Sequence, residues 1–218
     1  MKKSLLLFFV VLGFLQFSAQ EKRKVIDHID AIYADFDQEI SRYDFKKDSL
    51  QYQQGILAAQ EIKEAKLKKI YEEIFGEDHL LAKKFLHETV DVKDSARILP
   101  EVVKDPLVYI KISKNEMEEA KAISIQKLAT VRSELAKNFP TKYIANSPFA
   151  LDFYRVELFF TVDIDGKIKR IKPKGSDREF NYLSALYFYS LNFNVTPLMF
   201  KNELFPNSYM IPLKFNLE

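Results

Sequence analysis

Three histidines, His28, His79 and His87, with no cysteine, are the chain's whole stock of imidazole and thiol ligands. His79 and His87 stand eight residues apart, which on a helix separates them by about 80°. No His-x-x-x-His or Glu-x-x-His spacing occurs, so a zinc site is not expected. The lack of cysteine also removes disulfides, thiol catalysis and lipoprotein acylation. Asp163-x-Asp165-Gly166 has the flavour of a calcium loop. It lacks the third acidic ligand and the closing glutamate at the right spacing, so it reads as a hairpin turn. Glu72-Glu73 and Glu118-Glu119 are adjacent pairs that point to different helical faces, which makes them solvated charge and not a catalytic dyad. Nucleophile-elbow, dinucleotide and P-loop patterns are absent. We therefore expect no enzyme, no catalytic residue, no cofactor and no metal.

Binding chemistry is better represented. The sequence carries 33 Lys+Arg against 31 Asp+Glu, a formal net charge of +2. That is too balanced for a nucleic-acid binder, and no nucleic-acid partner is expected. One basic run stands out. Lys167 to Arg178 holds six basic residues in twelve, opposed only by Asp177. It fits a solvated strand and loop, since lysines commonly blunt exposed strands, or a weak contact for anionic lipid headgroups or an acidic partner. Phe188, Tyr189, Phe193, Phe200, Phe205 and Tyr209 form an aromatic-rich stretch suited to the core of a small sheet, with room for an exposed patch.

The elements that must position these residues fall into two regions. All eight prolines lie at or after Pro100. A long Pro-free, charged stretch permits helices. Val25, Ile29, Ile32, Phe36 and Ile40 form one amphipathic stripe. Leu50, Leu57, Ile62, Leu67, Ile70 and Ile74 suggest a second helix, closed at Phe75-Gly76. Leu80, Leu81, Phe85 and Leu86 suggest a third, short one after the acids Glu77-Asp78. Residues 91–112 are ambiguous, and 107–112 fits a short strand or a linker. Ser113 and Glu116 have capping-box spacing, and Met117, Ala120, Ile123, Leu128, Val131 and Leu135 continue a helix that Pro140 ends.

After Pro140 the period changes to two. Val156, Leu158, Phe160 and Val162 alternate with polar or outward residues as a half-buried strand. Asp165-Gly166 suggests a type I′ turn, and residues 167–173 return as the partner strand. Ile168 and Ile171, three apart, cannot share one pleat face, so a bulge is expected between them. Phe180, Leu183 and Leu186 space as a helix over about 179–191. Tyr209, Ile211, Leu213, Phe215 and Leu217 alternate as a last strand, in which Pro212 must face an open edge or a bulge. The expected fold class is α+β: a helical region over 21–138, then a small antiparallel sheet with one helix, ordered β-β-α-β, over 139–218.

Lys2 and Lys3 precede an apolar run from Leu5 to Phe17 and the small residues Ser18-Ala19. This pattern is that of a secretory signal peptide over 1–20, cut after Ala19 or Gln20, and the run is short for a membrane span. An uncleaved anchor is the rival reading. Loss of Lys2 and Lys3 takes the net charge from +2 to 0.

Several pieces of the last eighty residues resemble the C-terminal domain of TonB, the periplasmic energy transducer, and its TolA-like relatives. Phe139-Pro140 is similar to the family's aromatic-Pro entry. Phe160-Thr161-Val162-Asp163-Ile164-Asp165-Gly166-Lys167-Ile168 resembles its first strand, turn and second strand. Ile168, Ile171 and Pro173 fall at the family's apolar offsets, and Phe193-Asn194-Val195-Thr196-Pro197 resembles the segment after the helix. Ile211-Pro212-Leu213-Lys214-Phe215-Asn216-Leu217 resembles the closing strand. Family glycines are replaced by Ala150-Leu151-Asp152 ahead of the first strand and by Lys201-Asn202-Glu203 before the last. No Pro-rich spacer precedes the domain. The resemblance implies the fold and a partner-binding mode more than energy transduction. It implies an exported periplasmic interaction protein that takes an extended peptide of an envelope protein by β-augmentation. The expected partner-binding residues are Tyr209, Met210, Pro212, Lys214 and Asn216. The alternative is a structural or lipid-facing envelope protein whose sheet edge is blocked. The sequence carries no sign of the oligomeric state.

Overall fold

A computed structural model describes residues 24–44, 46–76, 79–88, 108–145 and 147–217. The expected signal peptide and most of the ambiguous stretch before residue 108 lie outside the described residues. The fold is α+β, with N-terminal helices followed by sheets.

Helix α1 covers residues 24–40 and buries Val25, Ile29, Ile32 and Phe36 along the expected stripe. Helix α2, Ser49–Phe75, starts where the Asp48 carboxylate accepts from the Leu50 and Gln51 amides. Its buried face differs from the expected one in the first half. Leu50, Leu57 and Ile62 are more than half exposed, while Gly55, Ile56, Ala59, Lys63 and Leu67 are buried. Close packing decides this face: a Cβ on Gly55 would lie 2.4 Å from the Tyr43 ring, so only glycine allows that approach.

The expected third helix is a strand. Lys84–Glu88 forms β1, which pairs in parallel with β2, Val108–Ile112. Four apolar residues within seven positions suit either element, and the partner strand lies twenty residues further on, beyond the reach of a local pattern. Helix α3, Lys114–Asn138, carries the expected Ser113–Glu116 capping box. Its first turns join β2 and a later hairpin in a small core of Ile112, Met117, Leu198 and Phe205. Its last turns bury Val131 and Leu135 in the main core. Pro140 ends it, and a one-turn helix α4, Lys142–Ala145, follows.

The C-terminal sheet has the order β4-β3-β7, with β3 (Phe153–Val162) between β4 (Ile168–Gly175) and β7 (Asn207–Asn216), both antiparallel to it. Tyr154, Val156, Leu158, Phe160 and Val162 point inward and are buried. Helix α5, Arg178–Ser190, covers that face with Phe180, Leu183 and Leu186. The expected bulge is present: the β3–β4 register shifts between Phe159 and Thr161, where Arg170 adopts φ 53°. The hairpin turn is a correction. Only Gly166 has positive φ (76°), and its amide donates to the Asp163 carbonyl at 2.9 Å, so a type I turn runs into a left-handed glycine. The true I′-like turn is Lys201-Asn202, with φ 49° and 63°, between β5 (Leu198–Phe200) and β6 (Glu203–Phe205). One hydrophobic cluster draws on α1, α2, α3, α5 and the sheet, so the N-terminal helices share the C-terminal core.

Asp163 tethers the segment before β1 to the hairpin turn. Its buried carboxylate accepts from the amides of Leu81 (2.6 Å), Ala82 (3.2 Å) and Ile164 (2.8 Å), and from Lys169 Nζ (2.7 Å). Burial alone would raise its pKa. Lys169 and the backbone donors outweigh burial and hold the carboxyl below the ordinary value. Asp163→Asn is expected to destabilise the fold by about 2–4 kcal/mol, because the amide sets donors against donors and takes from Lys169 the nearer of its two carboxylates. Since the folded pKa lies below the unfolded one, wild-type Asp163 contributes stability above about pH 4 and loses it as pH falls through the folded value. Denaturant titrations across pH should therefore show the gap between wild type and Asp163→Asn narrowing in acid.

Candidate functional site

Two prolines set the hydrogen-bonding parity of the sheet. Glu157 stands opposite Pro212 of β7, and Leu158 stands opposite Pro173 of β4. A proline has no amide to donate, so each must occupy a pair whose backbone groups point away from β3. The two demands agree. Leu158 bonds Ile211 on one side and turns away from Pro173. Glu157 bonds Lys174 on the other and turns away from Pro212. Each outer strand therefore presents one proline and its alternate neighbours to its outer edge.

The two edges are treated differently. On β4, helix α2 reaches over: Tyr71 donates its hydroxyl to the Ile171 carbonyl at 2.8 Å. Asn181 of α5 donates to the Gly175 carbonyl at 3.0 Å. With Pro173 between them, that edge is capped. On β7 the outward-parity residues are Ser208, Met210, Pro212, Lys214 and Asn216. Among the described residues, no backbone hydrogen bond joins their outward groups to another element. At the C-terminal end of α3, the Phe139 ring lies 4.6 Å from that of Phe215. Four of the five expected partner-binding residues, Met210, Pro212, Lys214 and Asn216, thus share the open edge. Tyr209 does not join them. It has the opposite parity and packs inward, its ring 6.0 Å from that of Phe160.

Sequence reasoning missed a second constellation. Glu179, in the first turn of α5, is buried with Lys63 of α2, 2.9 Å from Lys63 Nζ to Oε1. The contact is ionic, without hydrogen-bond alignment. Tyr33 of α1 donates to Oε1 at 2.5 Å and Gln60 donates to Oε2 at 2.6 Å. Lys63 Nζ also sits 3.8 Å over the Phe36 ring. Burial, and then the Glu179 carboxylate, push the Tyr33 hydroxyl well above its ordinary pKa. The group joins α1, α2 and α5 through one carboxylate. Lys63 lies on the buried stripe of α2 with Ala59 and Leu67, four residues to either side, and that spacing was the available signal.

The basic run divides in three dimensions. Lys169 is consumed by Asp163 and lies near Asp165. Lys172 and Lys174 face the solvent side of the sheet. Among the described residues no group of three or more His, Asp or Glu is placed to hold a metal ion, and no helix is long and apolar enough to cross a membrane. No protein-family model, curated protein or solved structure matches the chain.

Proposed function

We propose that this is an exported, non-enzymatic interaction protein of the periplasm that captures an extended peptide of an envelope protein on the free edge of β7. The reading combines the signal-peptide pattern and the resemblance to the TonB C-terminal domain with one structural asymmetry. Helices α2 and α5 cap the β4 edge, and among the described residues the outer edge of β7 has no backbone partner. Unpaired outward amides and carbonyls are the chemistry that strand addition needs. Pro212 interrupts the row once, which limits indiscriminate edge pairing while Met210, Lys214 and Asn216 still offer their amides. A β7 edge covered by the N-terminal helices would favour the rival, a structural or lipid-facing envelope protein.

Lys214→Pro is the decisive variant. Its amide shares the parity of Pro212, so its loss removes a donor to the partner and none to β3. We expect partner crosslinking in the cell envelope to fall by more than tenfold, and stability to drop by less than about 1.5 kcal/mol. A Lys214→Ala control keeps the amide and should retain capture. Both variants are first checked for folding by circular dichroism. A folded proline variant that still captures the wild-type partners would overturn edge addition.

A further inference from the structure

The face of the sheet opposite α5 is built as a grid of cations and apolar side chains. The cross-strand register places Lys172, Phe159 and Met210 in one row, and Lys174, Glu157 and Pro212 in the next. Arg155 and Lys214 form a third row, and Phe153 and Asn216 a fourth. Neighbours across such rows stand about 5 Å apart. The exposed apolar side chains are large: Phe153 is 49%, Phe159 40% and Met210 47% exposed. The lysines are exposed too, and among the described residues Lys172, Lys174 and Lys214 have no carboxylate within ion-pairing distance. The one acid of the grid, Glu157, is neutralised by Arg155 at 2.8 Å.

We infer that this face docks onto an anionic phospholipid bilayer. Phe153, Phe159 and Met210 would enter the interfacial layer, and the three free lysines would meet lipid phosphates. Charge complementarity selects this occupant. A second copy laid face to face would bring these lysines against like charges. An extended peptide is recognised by unpaired backbone, which lies along the edge and not on this face. Aromatic and Met side chains among long, snorkelling lysines are the composition that interfacial binding uses. The inference is separate from peptide capture, because the face uses side chains and the edge uses main chain.

The test is sedimentation of the full chain with vesicles of phosphatidylcholine alone and with about a third phosphatidylglycerol. Segments common to all variants, the N-terminal apolar run included, cancel in the comparison. Each lysine near an anionic surface is worth about fivefold in partitioning, so Lys172→Gln/Lys174→Gln/Lys214→Gln should lose about a hundredfold on anionic vesicles. Phe159→Ser/Met210→Ser should lose about tenfold on the same vesicles. Raised salt should weaken the wild type and leave the triple variant almost unchanged. Equal wild-type binding to neutral and anionic vesicles would overturn the inference. So would a triple variant that binds anionic vesicles like wild type. Lipid-free self-association abolished by the apolar variant, without vesicle binding, would assign the face to a second copy instead. The Lys172→Gln/Lys174→Gln double variant leaves β7 untouched and should still capture peptide, so failure here leaves the edge reading standing.

Discussion

Replacing Phe160 with alanine is expected to cost about 3–5 kcal/mol, most of the stability available to a small domain. Phe160 is 2% exposed in the centre of β3, with its ring 5.0 Å from that of Phe188 on α5. Leu158 and Val162 flank it on the same buried face of β3, and Ile211 of β7 belongs to the same core. Phe159 is the control. It is one residue away on the opposite pleat face and 40% exposed. Its replacement by alanine should cost less than about 1 kcal/mol. Denaturant midpoints of the two variants read the difference directly. Similar losses would mean that the register of β3 against α5 is wrong, since a one-residue slip exchanges the two faces.

The second large effect concerns Glu179. Glu179→Ala leaves Lys63 as a buried charge without its ion-pair partner, strands the Tyr33 hydroxyl and leaves the Gln60 amide only Glu64. The expected loss is about 3–5 kcal/mol. A paired replacement, Lys63→Met with Glu179→Leu, removes the charge along with its partner and should recover most of it. Unfolding followed by circular dichroism supplies the comparison. If the double variant is no better than Glu179→Ala alone, the ion pair is not what makes the single variant unstable. The same pair bears on architecture. Tyr33, Gln60 and Lys63 come from the N-terminal helices, and Glu179 from the helix of the C-terminal sheet. Their loss should loosen α1 and α2 from α5, and with them the Tyr71 cap on the β4 edge.

Local signals were reliable where one element decides its own fate. The alternation of β3, the α1 stripe, the Ser113–Glu116 box and the span of α5 depend on neighbours within one or two turns or pleats. All were legible in the sequence and all stand in the structure. The bulge near Arg170 was legible for the same reason, since the spacing of Ile168 and Ile171 cannot fit one face. Failures came where a distant partner decides. Leu80 to Leu86 carries a pattern that fits helix or strand, and β2 settled it from the far side of a long connection. The face of α2 was set by Tyr43 against Gly55 and by Glu179 against Lys63, neither visible in hydrophobic periodicity.

The candidate site divides along the same line. The sequence by itself determined that Pro212 must face an open edge or a bulge, because a residue without an amide cannot serve an interior ladder, and the register against β3 decided for the edge. The sequence also determined the alternation that sends Met210, Lys214 and Asn216 to the same side as Pro212. Only the tertiary structure decided which edge stays open. That choice depends on where Tyr71 and Asn181 land, through contacts between residues a hundred positions apart in one case and on a separate helix in the other. Only the tertiary structure, too, assembled Lys172, Lys174, Lys214, Phe153, Phe159 and Met210 into one face. Three strands contribute to it, and no single strand's sequence carries the cross-strand register that joins them.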